Sequence, residues 1–195
     1  MIKISPSVAS SDLLHVSDTI RYVDENYSDI HLDIEDGVYL PNISFGFRMA
    51  KAVCANTRSE RSLHLMVHDP LFWIEDVKAC APERCFVHLD HRSDAEAVLR
   101  SYREAGIPVG LGLSNRDLGR DLSALLPLVD TALVLTAVIE DPLQLYSSEL
   151  EDFAASLVPQ LREVWVDGGV KFPDLERLER RGFHAAVMGR AVFQR

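Results

Sequence analysis

Eight short runs of apolar and β-branched residues alternate along the chain with amphipathic stretches, and no other feature constrains the fold as tightly. The runs lie at residues 3–5, 29–34, 62–67, 84–89, 108–113, 132–136, 163–166 and 184–188. Helical patterns fall between them at 12–26, 70–80, 93–105, 118–126, 148–161 and 173–181. Ser10 or Ser11 is expected to cap the first helix, with Leu13, Ile20 and Val23 facing the core. Gly106 and Gly182 stand where helices should end. Strand–helix alternation of this kind means βαβ units around a parallel sheet. An open doubly wound sheet and a closed TIM (β/α)8 barrel compete, and the count of eight favours the barrel. The chain has 195 residues, at the low end for that fold, so a single compact α/β domain over residues 1–195 is expected, its last helix short or missing.

Charge and cysteine usage then remove whole classes of function. The formal net charge is −10, whereas nucleic acid and anionic membranes both call for a basic surface. No run of about 18 apolar residues occurs, so no membrane span is expected, and the N-terminus shows no apolar leader. Three cysteines without a C-x-x-C pair argue against structural zinc on thiolates and against a disulfide framework. A reducing, cytoplasmic setting is the expectation.

The densest chemical signal is Ile30-His31-Leu32-Asp33-Ile34-Glu35-Asp36-Gly37. Strand residues alternate between faces, so His31, Asp33 and Glu35 share one. Three polar residues on one face of a buried strand are costly unless bonded or functional. In a barrel that face points inward, near the C-terminal rim where active sites sit. His64 in Leu63-His64-Leu65-Met66 and Asp167 in Val166-Asp167-Gly168-Gly169 sit at two further strand ends. Each alone reads as a core histidine or a turn residue; a barrel would bring all of them together. His88 in Val87-His88-Leu89 reads either as a satisfied core histidine or as a neighbour of a ligand. His15, His68, His91 and His184 carry no motif and read as structural or surface residues, and Phe72 and Trp73 read as core.

Taken in order, Ser5-Pro6-Ser7, His31-Leu32-Asp33, Asp36-Gly37, Pro41-Asn42, His64-Leu65-Met66, Val166-Asp167-Gly168-Gly169 and Met188-Gly189-Arg190-Ala191-Val192-Phe193 make a series that resembles the ribulose-phosphate 3-epimerase family over residues 4–193. The resemblance implies a TIM barrel that interconverts a ketose phosphate, pentulose or hexulose, at C3. It implies one divalent metal ion (Zn, Fe or Mn) on His31, Asp33, His64 and Asp167. It makes Asp33 and Asp167 the acid/base pair on the two faces of an enediolate. It places Ser7, Met66, Gly168, Gly169, Gly189 and Arg190 around the sugar phosphate. Members of that family often form oligomers, and a homo-oligomer is left open here.

Three positions depart from the family pattern. Glu35 stands where the family has Met, and reads as an extra ligand, a partner of His31, part of an altered substrate site, or a residue bonded to a neighbouring strand. The sixth loop, 136–144, lacks the family's glycines and carries Glu140 and Asp141. Arg190 replaces a usual Ser and offers a bidentate anion contact. The alternatives are therefore a catalytically inactive sugar-phosphate-binding barrel, or an epimerase of a different, even unphosphorylated, ketose. A lyase or decarboxylase using an Asp-x-Lys pair ranks last, because Asp33-Ile34-Glu35 has no lysine.

Overall fold

In the computed structural model, which describes residues 1–139 and 145–193, the eight expected runs are all strands. They are β1 Lys3–Pro6, β2 Asp29–Glu35, β3 Glu60–Met66, β4 Arg84–His88, β5 Val109–Leu113, β6 Thr131–Leu135, β7 Glu163–Asp167 and β8 Ala185–Met188. All paired neighbours run parallel, in the order β1-β8-β7-β6-β5-β4-β3-β2. The ring is nearly closed. Its two ends, β1 and β2, meet at a single backbone bridge between Ser7 and His31. Two side-chain bonds reinforce that seam, from Ser5 Oγ to Asp29 and from Ser7 Oγ to Asp33.

Among the described residues, seven helices cover the outside: α1 Val16–Asn26, α2 Phe47–Asn56, α3 Ile74–Cys80, α4 Ala95–Glu104, α5 Ser148–Leu157, α6 Leu175–Arg180 and α7 Arg190–Phe193. Their apolar spacing explains their docking. In α4, Ala95, Val98, Leu99 and Tyr102 are buried, the i, i+3, i+4, i+7 stripe of a helix lying on a sheet. Gly106 and Gly182 follow helix ends with φ of 76° and 86°, as a left-handed cap requires. No helix among the described residues is long and apolar enough to cross a membrane.

Several sequence expectations need correction. The first helix begins at Val16, not near Asp12, and neither Ser10 nor Ser11 caps it. Asp12 accepts from the Leu14 amide and its Oδ2 lies 2.7 Å from His15 Nδ1. That Asx-type turn competes with helix and leaves Leu13 exposed rather than in the core. The stretch 118–126 is not a helix; short 3-10 turns stand at Asn115–Asp117 and Leu126–Leu128 instead. Helix α2 was missed. Trp73 packs on the core as expected, but Phe72 is exposed and meets Trp73 edge-on.

Inside the ring, residues divide by side. Phe86, Leu133, Trp165, Ala185 and Val187 from β4, β6, β7 and β8 form an apolar cluster of their own. From β1, β2, β3 and the end of β4 come Ser5, Asp29, His31, Ser62, His64 and His88, each 0% exposed.

Candidate active site

The alternation of β2 sends Asp29, His31, Asp33 and Glu35 to the interior at rising levels. The Ser62–His64–Met66 row of β3 runs beside them in register, Asp33 opposite His64 and Glu35 opposite Met66. Asp167 ends β7 across the ring. One ligand atom each from His31, Asp33, His64 and Asp167 lies within 4.8 Å of all the others. Asp33 Oδ1 is 3.3 Å from His31 Nε2 and 3.2 Å from His64 Nδ1, and Asp167 Oδ2 is 3.3 Å from His64 Nδ1. Ser7 Oγ donates to the other Asp33 oxygen at 2.5 Å.

Electrostatically this cluster collects positive charge. Burial opposes a charge on His64, but the Asp167 and Asp33 carboxylates prevail and raise it to about 9. Burial would likewise raise Asp33, yet His31 and His64 outweigh it and hold this carboxyl far down. His31 Nε2 is buried and makes no hydrogen bond. Two imidazole nitrogens and two carboxylate oxygens, one of them otherwise unpartnered, are a donor set that fits a divalent cation of the Zn, Fe or Mn kind.

Above the cluster opens a cavity of about 910 Å³. Ser7, Asp33, Glu35, Met66, Asp167, Gly168, Gly169, Gly189 and Arg190 all line it, while His31 and His64 stay behind its wall. Glu35 turns into this cavity, where it accepts from Asn42 Nδ2. Burial, with the Asp33 charge second, raises its carboxyl to about 6. Gly168 has φ +104, and a Cβ there would press on Ala137 at 3.0 Å. A Cβ on Gly189 would sit 2.1 Å from Ser10 Oγ, so the β8 end can pass this close only as glycine. Glu140 and Asp141 of the sixth loop lie outside the described residues.

His88 is not a satisfied core residue. Its Nε2 lies 2.8 Å from His64 Nε2, and its Nδ1 is buried without a partner. Burial and the neighbouring His64 charge keep His88 neutral, well below the usual histidine range. His15, His68, His91 and His184 are exposed, as expected. Sequence reasoning passed over Asp29, Ser62 and Lys171, and quoted Asn42 within Pro41-Asn42 without giving it a role. For Asp29 the signal was present, since it continues the period-two row of His31 and Asp33. Lys171 lines the cavity with Arg190, and among the described residues neither makes an ion pair; nothing in the spacing marked it.

Comparison with known proteins agrees with this geometry. A Ribulose-phosphate 3-epimerase of Synechocystis is 28% identical over 98% of this chain and 87% of its own length. The protein of that name from Chlamydia muridarum is 28% identical over 69% of this chain, and the match spans 60% of the relative's length. Among solved structures, a mutant tryptophan synthase α-subunit from Pyrococcus furiosus superposes with a TM-score of 0.74, covering 98% of this chain and 90% of that one at 16% identity; this likeness concerns the fold alone. The model of the ribulose-phosphate 3-epimerase family matches residues 3–193. The chain belongs to that family of carbohydrate epimerases.

Proposed function

We propose that this protein is a metal-dependent 3-epimerase of a ketose phosphate, pentulose or hexulose. The observation that carries the reading is the convergence of His31, Asp33, His64 and Asp167, within 4.8 Å, at the floor of a cavity. A divalent cation held by these four supplies Lewis-acid stabilisation of the negative charge that develops on the substrate carbonyl oxygen. The chain's own residues do the proton work. Asp33 and Asp167 project from β2 and β7, on opposite sides of the mouth. One removes the C3 proton, which is acidified by the adjacent carbonyl, and the other returns a proton to the opposite face of the enediolate. Ser7 holds Asp33 in place through its hydroxyl. Met66 and the enclosed walls exclude water from the reacting carbons. Gly168, Gly169 and Gly189 bring backbone close to the substrate's anionic end, and Arg190 adds charge there.

A different ketose is the second reading, and Glu35 is the observation that favours it. A carboxyl lining the cavity beside Asp33 suits a hydroxyl-rich or altered substrate end. A small-molecule substrate and a reducing cytoplasmic setting belong to the same proposal; Cys54, Cys80 and Cys85 are free and buried.

Solvent-deuterium exchange at C3, followed by NMR in D₂O, tests both. Metal-loaded protein is incubated with a pentulose phosphate, a hexulose phosphate and an unphosphorylated ketose. Exchange with a phosphorylated sugar is expected. Exchange with the unphosphorylated ketose alone selects the second reading. No exchange from folded, metal-loaded protein removes the epimerase reading in favour of a binding role.

A further inference from the structure

The side of His31 that faces away from the cavity has its own chain of contacts. His31 Nδ1 lies 2.8 Å from Ser62 Oγ, and Ser62 Oγ lies 2.8 Å from Asp29 Oδ1. Ser5 Oγ donates to the same Asp29 oxygen. Behind it, Asp29 Oδ2 has no hydrogen bond but faces Arg84 Nη1 at 3.7 Å. Asp29, His31, Ser5 and Ser62 are all 0% exposed, so no solvent intervenes.

Counting hydrogens fixes the direction of this chain. Asp29 Oδ1 accepts from both serine hydroxyls. Each serine hydroxyl has one hydrogen, and Ser62 gives its hydrogen to Asp29 in its shorter bond, the alternative carbonyl of Ile30 being 3.3 Å away. What Ser62 presents to His31 is then a lone pair. A second lone pair on Nδ1 at 2.8 Å would be repelled, so the ring hydrogen belongs on Nδ1. Nε2 is the nitrogen left toward the cluster, without a hydrogen bond and 3.3 Å from Asp33 Oδ1, where a cation would replace any proton it carries.

We propose that Ser62 and Asp29 are positioning residues for the metal centre, holding His31 in the one tautomer whose Nε2 can bind a cation. The proposal rests on the reading of the four-residue cluster as a cation site. Outer partners of this kind orient a ligating imidazole and raise its basicity. Here the carboxylate acts through an intervening hydroxyl, and its position at the foot of β2 places it next to Arg84 rather than next to the cavity.

The test uses metal-free full-length protein titrated with Zn²⁺ or Mn²⁺ by calorimetry. Ser62→Ala is expected to weaken binding about 10- to 100-fold, without lowering the melting temperature of the metal-free protein. Ser62→Thr, which keeps the hydroxyl, is expected to restore it. Independently, ring ¹⁵N NMR of metal-free wild type should show the His31 hydrogen on Nδ1. Unchanged affinity in folded Ser62→Ala, or a His31 Nδ1 without hydrogen, overturns the positioning role while leaving the cation site standing. Should Ser62→Ala fail to fold, the wild-type ring nitrogens decide alone. A folded wild type that takes up neither cation overturns the cation site, and the positioning role with it.

Discussion

The two halves of the barrel interior solve opposite problems with the same strand geometry. On the β4–β6–β7–β8 side, Phe86, Leu133, Trp165 and Val187 fill the ring with apolar volume. On the β1–β2–β3 side the same inward positions hold Ser5, Asp29, His31, Ser62 and His64. The apolar half gains free energy from burial at about 25 cal/mol per Å². The polar half gains little net, since each of its hydrogen bonds replaces one to water. Its members satisfy one another in part, leaving Asp29 Oδ2, His31 Nε2 and His88 Nδ1 buried without hydrogen bonds. The difference teaches that the candidate catalytic groups are gathered mostly on one wall of the barrel while the other supplies apolar volume. Asp167 is the exception that crosses: it tops an otherwise apolar strand and completes the cluster from the far side.

Separate readouts for the two halves would sharpen this division, and crossed ones would break it. The largest effect is expected from Asp167→Asn. C3 exchange should fall by about 10²–10⁴-fold, with a thermal midpoint close to wild type. A mutant that keeps its exchange rate would remove Asp167 from the proposed acid/base pair. Trp165→Ala should do the reverse. It should cost about 3–5 kcal/mol in denaturant unfolding, while cation affinity measured by calorimetry stays near wild type. A large loss of affinity there would show that the apolar wall sets ligand geometry directly.

Gly112→Ala probes the boundary between the halves. Its new Cβ would lie 2.7 Å from the His88 ring, which in turn touches His64. A stability loss of about 1–3 kcal/mol is expected, together with weakened cation binding. Unchanged binding would mean that His88 can move without disturbing His64.

The smallest effect concerns the foot of the barrel, where Arg84 joins both halves. Its Nε donates to Glu163 of the apolar side at 2.7 Å, and its Nη1 to Glu60 at 2.8 Å. Burial would raise Glu163, but the Arg84 bond outweighs it and holds this carboxyl below its usual range. Stability from a lowered carboxylate is present above the unfolded value of about 4.3 and is lost as pH falls through the folded one. Wild type should therefore lose stability on acidification below about pH 5 more steeply than Glu163→Gln. The slopes should differ by at most about 1.4 kcal/mol per pH unit, read from denaturant midpoints. Equal slopes would mean that Arg84 carries no pH-dependent link between the sides.

Most of the strand framework was legible because β-branched runs bounded by turn residues have few other readings. All eight strands stand where the pattern put them, within two residues. Helix α2 was harder. Phe47, Ala50, Val53 and Cys54 are its buried residues, a helical stripe, but the run is short and follows an irregular loop, and Gly46 offers no side-chain cap. The convergence of His31, Asp33, His64 and Asp167 was legible only as a set, since each alone resembles an ordinary core or turn residue. Ser62 was not legible. A serine inside a strand carries no signal until the ring places it between Asp29 and His31. The His64–His88 contact was equally hidden, because it depends on the missing side chain at Gly112.

The seam between β1 and β2 has a consequence for how the protein breathes. Every other neighbouring pair of strands is joined by a ladder, whereas this one has a single backbone bridge, at Ser7 and His31. Of the side-chain bonds that zip it, Ser7 to Asp33 reaches the cluster directly and Ser5 to Asp29 reaches it through Ser62 and His31. Local opening is cheapest where the fewest backbone bonds must break. The ring should therefore open there first, with its amide hydrogens exchanging ahead of those in the other strands. Each such opening would dismantle the candidate catalytic centre before any other strand pair parts, and the centre would reassemble only as the last stitch of the ring is made.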